Sequence, residues 1–233
     1  MTHRTAEQTQ SENIQVMGEE LGETYSALWQ ELARLHQKWL QYVTLFGTSQ
    51  KRIELLNEVA PRITYAIQQA LWLDIVLHIA RLADPAETGK GASMKKNLSL
   101  ERLKKIIKDS SEAEEIQHHM NTVKDSSAFA RDWRHRSYAH RDLEIATGKN
   151  CEPLKAASRV KVKAALTTMA EFMNLVARTH GLPITVFDVD GSGAGADVER
   201  FLRTLRNGVD YEKQLISKVK AGELTWKDVH KTV

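Results

Sequence analysis

Large apolar residues recur at alternating steps of four and three along the first part of the chain. This spacing is typical of one stripe on an amphipathic helix. The stripe consists of Tyr25, Leu28, Leu32, Leu35, Trp39, Tyr42 and Phe46. It predicts a first long helix from about 13 to 46. Gly47 would end that helix, and Thr48 or Ser49 would cap the next one.

The apolar pattern predicts three further long helical regions. The second, from about 49 to 83, is apolar nearly all round in its later half, as expected of a central helix, and Pro61 kinks or breaks it. The third runs from Ser99 to about Tyr138, with a break near 109–111. The fourth covers about 154–180. The polar stretch 87–97 is predicted to be an exposed, mobile loop.

The chain after Gly181 has a different pattern. Residues 184–189 could form one short strand, 191–195 a glycine-rich linker and 196–221 another amphipathic helix. We therefore predict a flexible N-terminus at 1–12, a helical domain at 13–181 and a small C-terminal extension at 182–233. With only 4 prolines and 12 glycines in 233 residues, the predicted fold class is all-α, an up-and-down bundle of four long helices.

Composition narrows the function classes. The most apolar stretch, 70–83, contains Asp74, His78 and Arg81 and is shorter than the roughly 18 residues of a membrane span. Residues 1–12 lack the apolar segment of a secretory signal, so we expect a cytoplasmic protein without membrane contact. Cys151 is the single cysteine, and no His, Asp or Glu set has a metal-binding spacing, so we expect neither a metal nor a cofactor.

The segment 131–142 concentrates side chains that suit phosphate chemistry. It holds four arginines and two histidines. Arginine matches phosphate oxygens with a planar fork, and histidine exchanges protons near neutral pH. In a regular helix Arg136 and His140 share a face, whereas Arg134 and His140 do so only if the helix ends or unwinds between them. The alternative is a solvated helix end that pairs with neighbouring carboxylates.

The heptapeptide from Arg134 to His140, Arg-His-Arg-Ser-Tyr-Ala-His, resembles the signature of HEPN domains. That signature is an arginine, a polar residue, a few variable residues and a histidine. Residues 81–85 (Arg-Leu-Ala-Asp-Pro), residues 97–100 (Asn-Leu-Ser-Leu) and the Ala-His-Arg-Asp ending at Asp142 are similar to the AbiU2 branch, named for abortive phage infection. The resemblance covers roughly residues 14–181.

The resemblance implies a metal-independent endoribonuclease, usually a homodimer, whose paired motifs face one another across a cleft. Cleavage of RNA without a metal needs a base, an acid and positive charge at the phosphate. His140 would transfer protons and Arg134 would bind phosphate. His135 would orient the site, with support from Arg136, and Tyr138 would stack on a base or simply pack. Family members under nucleotidyltransferase control carry tyrosine at the position of Asp142, so that control is not expected here.

Other basic residues could extend the contact with RNA. Lys155, Arg159 and Lys163 follow at four-residue steps along the predicted fourth helix, and Arg131 and Arg141 flank the motif. A solvated helix face is the alternative for the first three. The resemblance suggests phage defence or a toxin with an antitoxin or other protein partner. The competing functions are a non-catalytic module that binds nucleotide, RNA or a protein, and a scaffold in which Arg134 and His140 form core ion pairs.

Overall fold

The protein is an all-α helical bundle, as the sequence predicts. The computed structural model describes residues 5–107, 112–138, 147, 153–190 and 193–229. Ten α-helices lie within these ranges: α1 (Ala6–Met17), α2 (Glu19–Phe46), α3 (Gln50–Val59), α4 (Pro61–Leu82), α5 (Leu100–Ile106), α6 (Ala113–Ser126), α7 (Ala128–Trp133), α8 (Arg159–Thr179), α9 (Ala194–Lys220) and α10 (Trp226–Val229).

The chain divides into two compact units, and α2 and α4 contribute residues to both. The first unit comprises Met1–Lys38 and Trp72–Val189. Its core is formed by apolar side chains from α2, α4, α5, α6 and α8 that are almost wholly shielded from solvent. The largest of them are Leu28, Leu32, Leu35, Ile75, Ile79, Leu100, Leu103, Met120, Leu166, Met169, Phe172 and Met173. Burial of such side chains is the main stabilising contribution to this unit.

The second unit comprises Trp39–Leu71 and Asp190–Val233. Leu55 and Leu56 of α3 form its core with Val198, Leu202 and Val209 of α9. Ion pairs link the same two helices, with Arg52 Nη2 2.6 Å from Glu199 Oε1 and Lys213 Nζ 2.8 Å from Glu58 Oε1. Residues 190–233 thus pack with a part of the predicted helical domain. The predicted division at 181/182 stays a prediction.

The first helix begins earlier than predicted and is interrupted. Residues 6–12, predicted as a frayed terminus, belong to α1, because Thr5 and Gln8 form a reciprocal capping box at its start. The helix ends at Gly18, whose φ of 83° is in the region that favours glycine. The predicted helix from 13 to 46 is therefore two helices, of which α2 carries the apolar stripe.

Two polar residues and one proline set the next boundaries. Ser49, one of the two predicted caps, accepts a hydrogen bond from the backbone N–H of Arg52. Pro61 breaks the predicted second helix into α3 and α4 and occupies the first helical position of α4, where its missing N–H costs nothing. Thr64 Oγ1 donates to the Leu56 carbonyl across the break, at 3.0 Å.

Two irregular segments differ in detail from the predictions. The predicted loop 87–97 is exposed over most of its length, as expected, and it contains a short antiparallel hairpin in which β1 (Glu87–Thr88) pairs with β2 (Lys95–Lys96). Its mobility stays a prediction. The possible strand at 184–189 is irregular chain, because side chains rather than a neighbouring strand satisfy its backbone. The Asn174 side chain binds both the N–H and the carbonyl of Thr185, and Phe187 is buried against Trp29 and His36.

Helix α4 is long and apolar enough to meet the length and composition of a membrane span. It is the one such helix among the residues that the structure describes. In its second half Ile75, Val76 and Ile79 are fully buried in the first unit. The core helix of a soluble protein passes the same test, so this feature is weak evidence for a membrane span.

Gly22 lies in α2 where the backbone of α1 approaches closely. A Cβ at this position would lie 2.6 Å from Ile14 Cα and 2.7 Å from the Asn13 carbonyl oxygen. Both are main-chain atoms, so α1 would have to move to relieve the clash. We expect Gly22→Ala to lower the free energy of unfolding by about 1–2 kcal/mol, although alanine favours helix more than glycine does.

Gly208 provides the matched control. It lies inside α9, and a Cβ there would meet nothing within 4 Å. Gly208→Ala should therefore raise the free energy of unfolding by about 0.5–1 kcal/mol, because alanine restricts the unfolded chain. Urea denaturation of the two variants and the unchanged protein measures both effects. Equal stabilities for Gly22→Ala and Gly208→Ala would show that α1 does not pack against α2 in this way.

Candidate functional site

Arg134 begins a turn of unusual helical geometry. Helix α7 ends at Trp133, and residues Arg134–Tyr138 continue as a π-helix. Such wider turns are rare and occur frequently at functional sites. The sequence required an end or unwinding of the helix for Arg134 and His140 to share a face. The α-helical geometry does end at the first of these two residues.

The guanidinium of Arg134 is held by a carboxylate from another part of the first unit. Nη1 of Arg134 lies 2.7 Å from Oδ2 of Asp84, and the two side chains are 21% and 17% exposed. Asp84 lies two residues beyond the end of α4, and its backbone N–H donates to the Arg81 carbonyl. The pair is half-buried, so the arginine is ordered yet reachable by solvent.

The hairpin region holds the two residues that follow Asp84. The side-chain amide of Asn97 donates to the Pro85 carbonyl at 2.8 Å, and the Asn97 backbone N–H donates to the Ala86 carbonyl at 2.9 Å. Ser99 caps α5 by accepting from the Arg102 N–H. The two segments that carried the resemblance upstream of the motif therefore contact each other.

Asp132 and Trp133 attach the segment before α8 to the start of the motif. Oδ2 of Asp132 accepts from the Lys155 N–H at 2.8 Å, and Nε1 of Trp133 donates to the Lys155 carbonyl at 2.7 Å. Oδ1 of Asp132 lies 3.5 Å from Nη1 of Arg136. Asp132 thus orients both Arg136 and the backbone at Lys155.

The predicted basic residues do not form one helical track. Helix α8 begins only at Arg159, because the Ser158 hydroxyl caps it by accepting from the Lys161 N–H. Lys155 therefore lies in irregular chain before the helix, which corrects the predicted start near 154. Arg159 and Lys163 are on α8 and exposed. Their contact with RNA stays a prediction.

The other predicted site residues differ in their surroundings. His135 is exposed. Arg131 is half-buried and donates from Nη2 to the Lys124 carbonyl at 3.0 Å, towards its own preceding helix. Tyr138 is the last residue of the π-helical turn. His140 and Arg141 lie outside the residues that the structure describes, and so does Asp142.

A cavity of about 320 Å³ lies beside Asp84, within the first unit. We call it the His78 cavity. Its polar lining consists of Glu31, His78, Arg81, Asp84, Lys96 and Asn97, and Leu82 and Leu98 complete the wall. Two carboxylates and two cations therefore line one cavity, together with a histidine that is 1% exposed.

His78 is neutral in this cavity. Burial and the neighbouring cations Arg81 and Lys38 lower its pKa from 6.5 to about 4. The carboxylates of Glu31 and Asp74 raise this pKa by less. Nε2 of His78 lies 2.9 Å from Oε2 of Glu31, and Nδ1 has no hydrogen-bond partner among the described residues. Oδ1 of Asp84 is likewise buried without such a partner.

Asp84 is a site residue that the sequence interpretation missed. Residues 81–85 carry part of the family resemblance, but the sequence pattern gives no role to Asp84 itself. One signal was present: Asp84 follows the C-terminus of α4, where the helix dipole disfavours negative charge. A nearby cation would stabilise a carboxylate at such a position, but the sequence does not identify that cation.

Comparison with known protein families gives a match over most of the chain. The family model HEPN_AbiU2, described as AbiU2, matches residues 18–201. The match contains all the residues discussed above and continues past 181 into α9. Searches of curated proteins and of solved structures gave no significant match.

Proposed function

We propose that this protein, which belongs to the AbiU2 family of HEPN domains, is a metal-independent endoribonuclease that acts in the cytoplasm in phage defence or as a toxin. The observation that supports this most is the state of Arg134. The first residue of the Arg-His motif starts a π-helical turn and is held half-buried by Asp84. An ordered arginine that solvent still reaches suits a phosphate in the transition state.

Each catalytic role has a candidate in the motif. His140 would accept the proton of the ribose 2′-hydroxyl or donate one to the leaving 5′-oxygen. The guanidinium of Arg134 would offset the charge that develops on the phosphate oxygens. The 2′-oxygen attacks the adjacent phosphorus while the bond from phosphorus to the 5′-oxygen breaks. The products are a 2′,3′-cyclic phosphate and a 5′-hydroxyl, and the step needs no metal.

A homodimer would supply both proton-transfer groups at once. One histidine cannot act as base and acid in the same step, whereas a two-fold axis near the motif would bring two copies of His140 to one phosphate. We therefore propose RNA and a second copy of the chain as partners. An antitoxin or other protein would restrain the activity.

The alternative is a non-catalytic module that binds nucleotide or RNA through the same residues. The ion pair between Arg134 and Asp84 suits this alternative equally, because Asp84 would orient the guanidinium towards a bound phosphate with or without cleavage. A chelator-insensitive cleavage assay separates the two functions.

The decisive experiment incubates the purified full-length protein with a mixed RNA pool in excess EDTA. We expect cleavage that leaves 2′,3′-cyclic phosphate ends and is lost in His140→Ala. His118→Ala is the matched control, because His118 is an exposed histidine on α6, away from the motif in sequence. Circular dichroism verifies that all three proteins are folded alike.

The outcomes are distinct. Cleavage by the unchanged protein and by His118→Ala, but not by His140→Ala, supports the ribonuclease. Equal cleavage by all three indicates a contaminant or another site. RNA binding without cleavage supports the non-catalytic module.

A further inference from the structure

The His78 cavity has features that its structural role does not explain. Two buried polar atoms beside it, Asp84 Oδ1 and His78 Nδ1, have no hydrogen-bond partner among the described residues, whereas His78 Nε2 lies 2.9 Å from Glu31 Oε2. Folded proteins pair nearly all buried polar groups, so each unpaired atom needs a physical explanation. A ligand that offers both donors and acceptors would satisfy both atoms.

The charges of the cavity limit the chemistry of that ligand. A simple anion is disfavoured, because Glu31 and Asp84 place two carboxylates in the wall. Oδ1 of Asp84 needs an N–H or O–H donor, and neutral His78 offers one donor and one acceptor. A nucleobase carries ring and amino N–H groups beside carbonyl and ring-nitrogen acceptors. Leu82 and Leu98 would contact its flat apolar surface.

The surroundings also suit the rest of a nucleotide. Arg81 and Lys96 line the same cavity with side chains that are 58% and 70% exposed, so both can reach a phosphate near the opening. A volume of about 320 Å³ is at the lower end of the range of about 300–1,000 Å³ for small-molecule pockets. It suits a single base with its sugar.

Asp84 joins this cavity to the motif. One of its carboxylate oxygens contacts Arg134 Nη1 at 2.7 Å, and the other is the unpaired atom of the cavity. An arginine side chain has five N–H donors, and the contact with Asp84 uses one of them. The remaining donors can bind a phosphate, and Asp84 connects that phosphate to the cavity.

We propose that the His78 cavity binds a nucleobase of the RNA strand next to the phosphate held by Arg134. Asp84 Oδ1 accepts an N–H of the base, and His78 completes its hydrogen bonds. The inference rests on the proposed function in taking RNA as the source of the base. It goes further in making Asp84 and His78 the residues that select and position the nucleotide.

Binding measurements test this without cleavage. The full-length protein is titrated with a short 2′-O-methyl oligoribonucleotide, which lacks the attacking hydroxyl, with the four nucleoside 5′-monophosphates and with inorganic phosphate. Asp84→Asn and His78→Gln should each weaken oligoribonucleotide binding about tenfold. Leu98→Trp should weaken it at least as much, because it fills the cavity from a half-exposed position and leaves every charge in place. Arg203→Ala, an exposed arginine of α9, is the control.

Leu98→Trp keeps the test decisive even where a buried-residue variant fails to fold. Unchanged oligoribonucleotide affinity in a folded Leu98→Trp protein would overturn the proposal. Inorganic phosphate that binds as tightly as the nucleotides would also overturn it. If Leu98→Trp weakens only the monophosphates, the cavity is a site for a free nucleotide and the proposal is wrong.

The failure of each idea is distinguishable. Oligoribonucleotide binding that depends on Leu98 in a protein that cleaves no RNA would refute the ribonuclease alone. Efficient RNA cleavage, together with an oligoribonucleotide affinity that none of the three cavity variants changes, would refute only the nucleobase site in the cavity.

Discussion

Replacing Arg134 with alanine should slow RNA cleavage about 100- to 1,000-fold, the effect of removing one donor that stabilises transition-state charge. The guanidinium is the cation that the ion pair with Asp84 fixes at the start of the π-helical turn. Arg134→Lys should recover a small part of the rate, because an ammonium keeps the charge but loses the planar fork. Single-turnover rates with saturating protein measure the effect on the chemical step.

Controls must separate chemistry from stability here. Loss of Arg134 leaves the 17%-exposed carboxylate of Asp84 without its cation, which destabilises the fold as well. Thermal unfolding therefore accompanies each rate, and assays are made well below the transition. Arg203→Ala removes an exposed arginine from α9 and should leave the rate unchanged. Arg134→Ala that cleaves within threefold of the unchanged protein would exclude the role proposed for Arg134.

Periodicity predicted the large elements because burial on one face imposes it. The stripe from Tyr25 to Phe46 lies on α2, and the apolar residues of the predicted fourth helix are buried on α8. Helix α1 escaped prediction because its start depends on a capping box between Thr5 and Gln8 rather than on an apolar stripe. The packing of 190–233 with 39–71 was not predicted either, because periodicity shows that a helix has an apolar face but not which element covers that face.

The candidate site was predictable only in part. The density of basic residues and the motif predicted Arg134, because few residue types can bind a phosphate or transfer a proton near neutral pH. Its partner Asp84 is 50 residues away in sequence, and spacing along a helix says nothing about such contacts. Lys155 was placed on a helix because a four-residue step agrees with one, whereas the Ser158 cap starts α8 later. His78 is buried beside a cavity, and a periodic apolar pattern does not predict cavities.

Lowering the pH from about 7.5 to about 5 should lower the free energy of unfolding by about 2 kcal/mol because of His78 alone. Burial and the cations Arg81 and Lys38 lower the pKa of this histidine from 6.5 to about 4 in the folded state. Between these two values the unfolded chain binds a proton that the folded chain does not. The stabilising contribution is therefore complete above pH 6.5 and is lost as the pH falls towards 4.

The comparison that isolates this contribution is His78→Gln, which keeps a polar side chain but removes the titration. Urea denaturation at several pH values gives the free energy of unfolding of each protein as a function of pH. This free energy should fall more steeply on acidification in the unchanged protein than in His78→Gln. The sign of the difference also tests the contact with Glu31. If its carboxylate, 2.9 Å from Nε2, dominated over burial, the protonated histidine would be favoured. His78 would then stabilise the folded protein on acidification, opposite to the expectation from its burial beside two cations.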